Sequence, residues 1–212
     1  MQADKDLSVF IDICHLIQAK GLVSGSGGNV SMRVGNEIVI TPSGKSLEMI
    51  KLEDLVFLSK DGSFHCANGH VPSKEWQMHL NCYERADVNA VIHVHSTYAV
   101  AAACMADLDY ACAIPVYTPG YAIRVGSLPV IPYIMPGSKE LADAVANVIA
   151  KRNSVMMANH GVLAVGTGIE STLNVIEEIE DEVKLHFILN GRGNPLTKEQ
   201  QKQLFSPNGY GK

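Results

Sequence analysis

Apolar positions recur along this chain with two periods, and the switches between them divide it into elements. Leu7, Phe10, Ile11, Cys14 and Ile17 follow helical spacing and stop at Lys20-Gly21, a helix-ending signal. Residues 37–41 and 55–59 read as strands, closed by Pro42-Ser43-Gly44-Lys45 and by Lys60-Asp61-Gly62. Ser73 is placed to cap a helix running through Trp76, Leu80 and Tyr83. In 88–95, Val88, Ala90, Ile92 and Val94 can face one side of a strand, and Asn89, Val91, His93 and His95 the other. The Ala-rich segment 96–105 fits a helix packed closely on a sheet. Residues 114–117, 123–125 and 128–133 are short strand candidates whose prolines ask for edges and turns. Ser138 can cap a helix carrying Leu141, Val145, Val148 and Ile149, and 155–158 with 162–165 read as paired strands around His160. Ile169, Leu173, Ile176, Val183 and Phe187 mark a long helix ended by Asn190-Gly191. Its acidic residues (Glu177, Glu178, Glu180, Asp181, Glu182) read as a solvated or inter-subunit surface, not a metal cluster.

With no internal repeat or low-complexity linker, these elements predict one domain over residues 1–212, an α/β arrangement of a mixed sheet with flanking helices. At 47% apolar and 18% charged, the composition excludes a disordered or coiled-coil chain. A net charge of -5 without any Lys/Arg run gives no footprint for nucleic acid, while a few local donors could still hold a small anion. No apolar run reaches membrane-spanning length, so no membrane partner is expected. Five cysteines with no C-x-x-C make a disulfide framework unexpected and point to a cytoplasmic protein.

The chemistry concentrates at His93-Val94-His95, where two imidazoles on one rigid strand make half of a first-row metal site. His160, in Asn159-His160-Gly161, and Glu75, in Pro72-Ser73-Lys74-Glu75-Trp76, are the candidate third and fourth ligands. Three neutral imidazoles leave most of the charge on a divalent ion, which keeps it a strong Lewis acid. Any one of these histidines alone reads as structural; the trio with Glu75 carries the metal reading. The Gly-rich stretch 21–31 reads equally as an anion-holding loop or as a tight helix-to-strand connection. A helix start at Ser73, Lys74 and Glu75 would favour an anion. His15 and His79 read as packing histidines, and His65-Cys66-Ala-Asn-Gly-His70 as a surface loop whose spacing matches no common zinc module.

Five motifs, Gly25-Ser26-Gly27-Gly28-Asn29-Val30-Ser31, Ile40-Thr41-Pro42-Ser43-Gly44, Pro72-Ser73-Lys74-Glu75-Trp76, His93-Val94-His95 and Asn159-His160-Gly161, stand in one order. In that order they resemble the class II aldolase/adducin family, and in particular its fuculose-phosphate aldolase group, over roughly the whole chain. The resemblance implies a three-layer α/β/α domain with a central mixed, mainly antiparallel sheet. It implies Zn2+, or another divalent first-row metal such as Mn2+ or Co2+, on Glu75, His93, His95 and His160, with Glu75 also transferring a proton. It places the substrate phosphate on Gly28, Asn29, Ser43, Gly44, Ser73 and Lys74. A homotetramer with inter-subunit active sites is implied too, with a tail from about residue 195 whose Tyr210 closes over the site.

The implied reaction cleaves a phosphorylated ketose of L-fuculose 1-phosphate type to dihydroxyacetone phosphate and an aldehyde, through a metal-stabilised enediolate. Two departures open an alternative. Lys74 stands where the aldolases usually carry a second Ser. The Pro-Ser-Lys-Glu form, His95-Ser96-Thr97, Thr118-Pro119 and Arg124-Val125-Gly126 are similar to the branch that decarboxylates 3-oxo-tetronate 4-phosphates to dihydroxyacetone phosphate and CO2. The aldolases' catalytic Tyr near position 119 also has no direct match, the nearest phenols being Tyr117 and Tyr121. A ribulose-phosphate 4-epimerase is weakened by Glu rather than Asp at position 75. An adducin-like module without metal is opposed by the presence of all three histidines and Glu75.

Overall fold

In the computed structural model, which describes residues 2–205, the helical run of Phe10, Cys14 and Ile17 lies in α1 (Gln2–Ala19). The chain then turns at Gly21, φ +71°, in the left-handed region that glycine adopts without a Cβ penalty. There follow β1 (Asn29–Val34), β2 (Glu37–Ile40), β3 (Val56–Leu58), β4 (Phe64–His65) and α2 (Trp76–Cys82). Next come β5 (Ala90–Val94), α3 (Thr97–Ala103), α4 (Pro119–Arg124), β6 (Val130–Ile131) and α5 (Lys139–Ile149). β7 (Ser154–Met157), β8 (Gly161–Gly166), α6 (Ile169–Leu189) and α7 (Lys198–Leu204) complete it.

The strands form one sheet in the order β4-β3-β2-β1-β5-β8-β7-β6, antiparallel throughout except for β6 against β7. This is the mixed, mainly antiparallel α/β fold expected. Alternation sorts the strand residues between two cores. Ala90, Ile92, Val94, Val162 and Ala164 pack with residues of α1, α3, α4 and α6. Val91, Leu163, Val165, Val155 and Met157 pack with Met78 of α2 and Leu141 and Val145 of α5. Each fully buried Leu, Ile or Val stabilises the sandwich by roughly 1.5–3 kcal/mol. His93, between Val91 and its neighbours, therefore faces the α2 layer. Val88, just ahead of β5, packs with Val91 rather than with Ala90 as its parity had suggested.

Four readings are corrected. Residues 114–117 and 123–125 form no strand, and only Val130–Ile131 of 128–133 does, as an edge strand. Thr118 Oγ1 accepts from Tyr121 N and Pro119 opens the first turn, so this segment starts a helix. Ser73 is not a helix cap: α2 starts at Trp76 with Glu75 at the cap position, and Ser73 to Trp76 is a turn closed by Trp76 N to Ser73 O at 3.0 Å.

The acidic face of α6 is not all solvated. Glu180 accepts from Ser96 Oγ, Tyr98 N and Ala99 N at 2.6, 3.1 and 3.0 Å, satisfying the free N–H groups that start α3. Glu182, buried, does the same for Tyr117 N, Thr118 N and Thr118 Oγ1. Helix α7 arises where no regular element was foreseen, from a capping box between Thr197 and Gln200. Among the described residues, no helix is long and apolar enough to cross a membrane.

Candidate active site

Three local structures bring the site together. β5 carries His93 into the sheet centre, where it pairs with Asn29 of β1 and Leu163 of β8, and His95 follows as the strand ends. The β7–β8 hairpin turns through Asn159, φ +57°, a left-handed conformation that asparagine tolerates, and so places His160 beside them. The turn ahead of α2 delivers Glu75. The His93 ring lies 4.6 Å from that of His95 and 4.9 Å from that of His160. Glu75, His93, His95 and His160 offer ligand atoms that all lie within 4.8 Å of one another.

The protons around this cluster follow from its partners. His93 Nδ1 is 2.9 Å from Val162 O, so Nδ1 carries a hydrogen and Nε2 turns to the cluster. There it meets His95 Nε2 at 2.8 Å and Glu75 Oε2 at 3.3 Å, while His160 Nε2 is 3.4 Å from Glu75 Oε1. Burial disfavours a charged His93, but the Glu75 carboxylate and its hydrogen bond more than offset this and raise its pKa. Burial and the charge at His93 push His95 and His160 down to about 4, leaving neutral rings with lone pairs. Burial opposes ionised Glu75 as well, yet the His93 charge and hydrogen bonds from His93 and Asn29 hold its carboxyl well below the usual carboxylate range.

This donor set fits a divalent cation. Glu75 Oε1 is buried without a hydrogen-bond partner among the described residues, and it lies 3.4 Å from His160 Nε2. Ligands about 2.1 Å from an ion in a tetrahedron are about 3.4 Å apart, close to the separations seen. A cation at His93 Nε2 would take the place of a proton there.

Beside the cluster lies an open cleft of about 410 Å³, lined by Gly28, Asn29, Ser43, Gly44, Ser73 and Lys74 together with Glu75, His95 and His160. All six residues expected to hold a phosphate thus meet on one surface. Their loops are tied together: Ser43 N donates to Val71 O at 3.0 Å, Ser73 N to Thr41 O at 3.1 Å, and Val30 N to Thr41 Oγ1 at 3.2 Å. Ser73 Oγ accepts from Glu75 N at 3.3 Å, which leaves its hydroxyl hydrogen free to donate. Lys74 is exposed.

Gly28 is the tightest point of this wall. It has φ +71°, and a Cβ there would stand 2.5 Å from Val23 Cγ1 and 2.9 Å from His93 O, whereas Gly44, φ +74°, faces open space. Gly28→Ala is therefore expected to cost about 1–3 kcal/mol from backbone strain plus contact, and to weaken metal binding by displacing β5. Gly44→Ala is expected to show the strain alone. Thermal unfolding of both variants checks this; equal losses would contradict it.

Other sequence candidates are placed elsewhere. His65 pairs with Glu37 at 3.1 Å, His70 with Asp54 at 3.2 Å, and Cys66 Sγ approaches backbone oxygens of Glu53 and Asp54, so that loop forms no shared centre. His15 bonds Ile50 O at 3.0 Å. Tyr121 is buried and Tyr117 OH is bonded to His186 Nδ1 at 3.0 Å; neither lines the cleft. Tyr210 lies outside the described residues. His79, a packing residue by its sequence, also borders the site. It is buried beside the site with its Nε2 2.5 Å from Asn29 Oδ1, and its spacing of four from Glu75 was the signal.

The family model for the class II aldolase and adducin N-terminal domain matches residues 8–187. A 3-oxo-tetronate 4-phosphate decarboxylase of Haemophilus influenzae is 37% identical over 205 residues, which is 95% of this chain and 96% of that protein. An L-fuculose phosphate aldolase of Methanococcus maripaludis is 37% identical over 186 residues, 87% of this chain and 98% of that one. The crystal structure of YgbL from Escherichia coli superposes with a TM-score of 0.92 at 30% identity, covering 97% of this chain and all of that one.

Proposed function

Because this chain belongs to the class II aldolase and adducin family, we propose that it is a divalent-metal-dependent lyase releasing dihydroxyacetone phosphate from a phosphorylated sugar acid or sugar. Decarboxylation of an acid of 3-oxo-tetronate 4-phosphate type leads; aldol cleavage of a ketose of L-fuculose 1-phosphate type is the second reading. This reverses the order drawn from the motifs. The observation that carries it is Lys74, an exposed cation on the wall of a cleft shared with Glu75 and the histidines. The decarboxylase match, spread over 95% of this chain, supports it. The aldolase match at equal identity keeps the second reading in play.

In either reaction the electrons of the breaking C–C bond stay on the carbon next to a carbonyl and spread to its oxygen, forming an enediolate. CO2 leaves in the first case; in the second the distal hydroxyl gives up its proton to solvent water and an aldehyde leaves. A proton then adds to the carbon, giving dihydroxyacetone phosphate. When bound at Glu75, His93, His95 and His160, a divalent ion such as Zn2+, Mn2+ or Co2+ supplies Lewis-acid stabilisation of that negative charge. Glu75, ionised at rest, takes up a proton from solvent on Oε1 and delivers it to the enediolate carbon, because Oε2 is engaged by Asn29 Nδ2 at 2.9 Å. Gly28, Asn29, Ser43, Gly44 and Ser73 hold the phosphate, positioning energy applied away from the reacting carbon. Lys74 pairs with the substrate carboxylate. The homotetramer and the closing role of Tyr210 belong to this proposal through the family resemblance alone.

The test is a coupled assay for dihydroxyacetone phosphate on metal-loaded protein, with the two substrate types in parallel. Lys74→Ser is expected to raise KM for the oxo acid roughly 10- to 100-fold, the worth of a charge-assisted hydrogen bond. Its effect on a ketose phosphate is expected to be smaller. Release from the ketose phosphate only would overturn the decarboxylase reading and install the aldolase.

A further inference from the structure

Behind Glu75 runs a buried chain of hydrogen bonds of which the proposed chemistry uses only the first, from Asn29 to Glu75. Glu75 Oε2 receives Asn29 Nδ2 at 2.9 Å, and Asn29 Oδ1 lies 2.5 Å from His79 Nε2. His79 Nδ1 lies 2.7 Å from Ser31 Oγ, which lies 2.8 Å from Tyr83 OH. Asn29, Ser31, Glu75, His79 and Tyr83 are all buried. Asn29 and Ser31 alternate onto one face of β1, and Glu75, His79 and Tyr83 follow at steps of four along α2 and its ends.

One ionised carboxylate orients every proton in this chain. A carboxylate accepts only, so the Asn29 amide must present its NH2 to Glu75 and its oxygen to His79. His79 Nε2 must then be the N–H donor. A neutral ring has its lone pair on Nδ1, so Ser31 donates to it and accepts in turn from Tyr83. The guanidinium of Arg33 stacks over the Tyr83 ring at 5.1 Å and donates to Tyr83 O at 3.3 Å, closing the far end.

We propose that His79, held as the neutral Nε2–H form by Ser31 and Tyr83, is a positioning residue that locks the Asn29 amide and thereby reserves Glu75 Oε1 for the substrate. This rests on the reading of Glu75 as the proton-transferring group. Without the His79 donor the Asn29 amide loses the partner for its oxygen, and the carboxylate gains a second rotamer in which the wrong oxygen, or neither, faces the enediolate carbon. The assignment also explains an exposed-sounding sequence choice: a histidine is kept in a fully buried place where burial holds it neutral, its pKa pushed down to about 3.

Two variants and one spectrum test it. His79→Leu fills the space without a donor; His79→Gln keeps an N–H near the place of Nε2. His79→Leu is expected to lower kcat about 10- to 100-fold with KM nearly unchanged, as for loss of a partner behind a ligand, and His79→Gln is expected to recover most of it. Full kcat in folded His79→Leu, or no recovery by folded His79→Gln, would overturn the proposal. Independently, 15N-histidine spectra of the wild type, with the His79 ring assigned through its own backbone amide, are expected to show protonated Nε2 and bare Nδ1 at neutral pH. The opposite tautomer or an imidazolium would overturn it even if both variants failed to fold. The spectrum is read without substrate, so an inactive wild type would sink the lyase reading and leave the His79 assignment to the tautomer.

Discussion

Glu75→Gln is expected to lower kcat by about 10²- to 10⁴-fold, the usual worth of a positioned acid or base. The amide oxygen can still accept from Asn29 Nδ2, so the packing of the turn survives while the transferable proton does not. Dihydroxyacetone phosphate release, measured with the metal content of the same sample, checks this; a loss under tenfold with metal retained would remove Glu75 from that role. The metal-free protein adds a signature in pH. The folded-state pKa of Glu75 is lowered, so its stabilisation is present above the ordinary carboxylate value of 4.5 and is lost as pH falls through the folded one. His93 is raised, so its share is present below 6.5 and is lost as pH rises through its folded value. The stability gap between wild type and Glu75→Gln should thus be widest between those two values.

His93→Ala is expected to abolish stoichiometric metal binding and, separately, to destabilise the metal-free protein. His93 is fully buried, and its removal takes away the bonds its ring makes to Val162 O and to Glu75, a cost of about 1–3 kcal/mol before any cavity is counted. His95 is only partly buried and spans no such backbone contact, so His95→Ala should lose metal with a much smaller change in metal-free stability. Zinc titration calorimetry with chemical denaturation of the stripped proteins separates the two effects. Undiminished zinc affinity in either variant would show that these imidazoles are not ligands.

The parts of this molecule legible in sequence are those that local rules determine. His93 and His95 could be placed together because a strand repeats every two residues, and α5 was found because Ser138 caps it. Residues 114–117 and 123–125 look like strands in sequence although Thr118-Pro119 is a helix-start pair, since short apolar runs such as Ile123 to Val125 look alike in strand and helix. Glu180 and Glu182 look like surface acids until α3 and the loop at Tyr117 bring unpaired N–H groups to them. Likewise the Glu75, His79 and Tyr83 stripe was visible as a spacing. Only the pairing of β1 with β5 shows that Asn29 and Ser31 lie opposite it. The phosphate loops were individually weak signals; the Pro42–Pro72 bridge is what makes them one wall.

Both proposed reactions end by protonating the same enediolate, so reversal of that step must remove a proton from dihydroxyacetone phosphate itself. The most direct measurement follows this exchange in D2O by 1H NMR, with metal-loaded protein and no other substrate. Uptake of one deuterium per molecule at the hydroxymethyl carbon, on one face only, dependent on metal and absent in Glu75→Gln, is the expected result. Full retention of both hydrogens by the metal-loaded wild type would contradict an enediolate-forming site built on Glu75 and the three histidines.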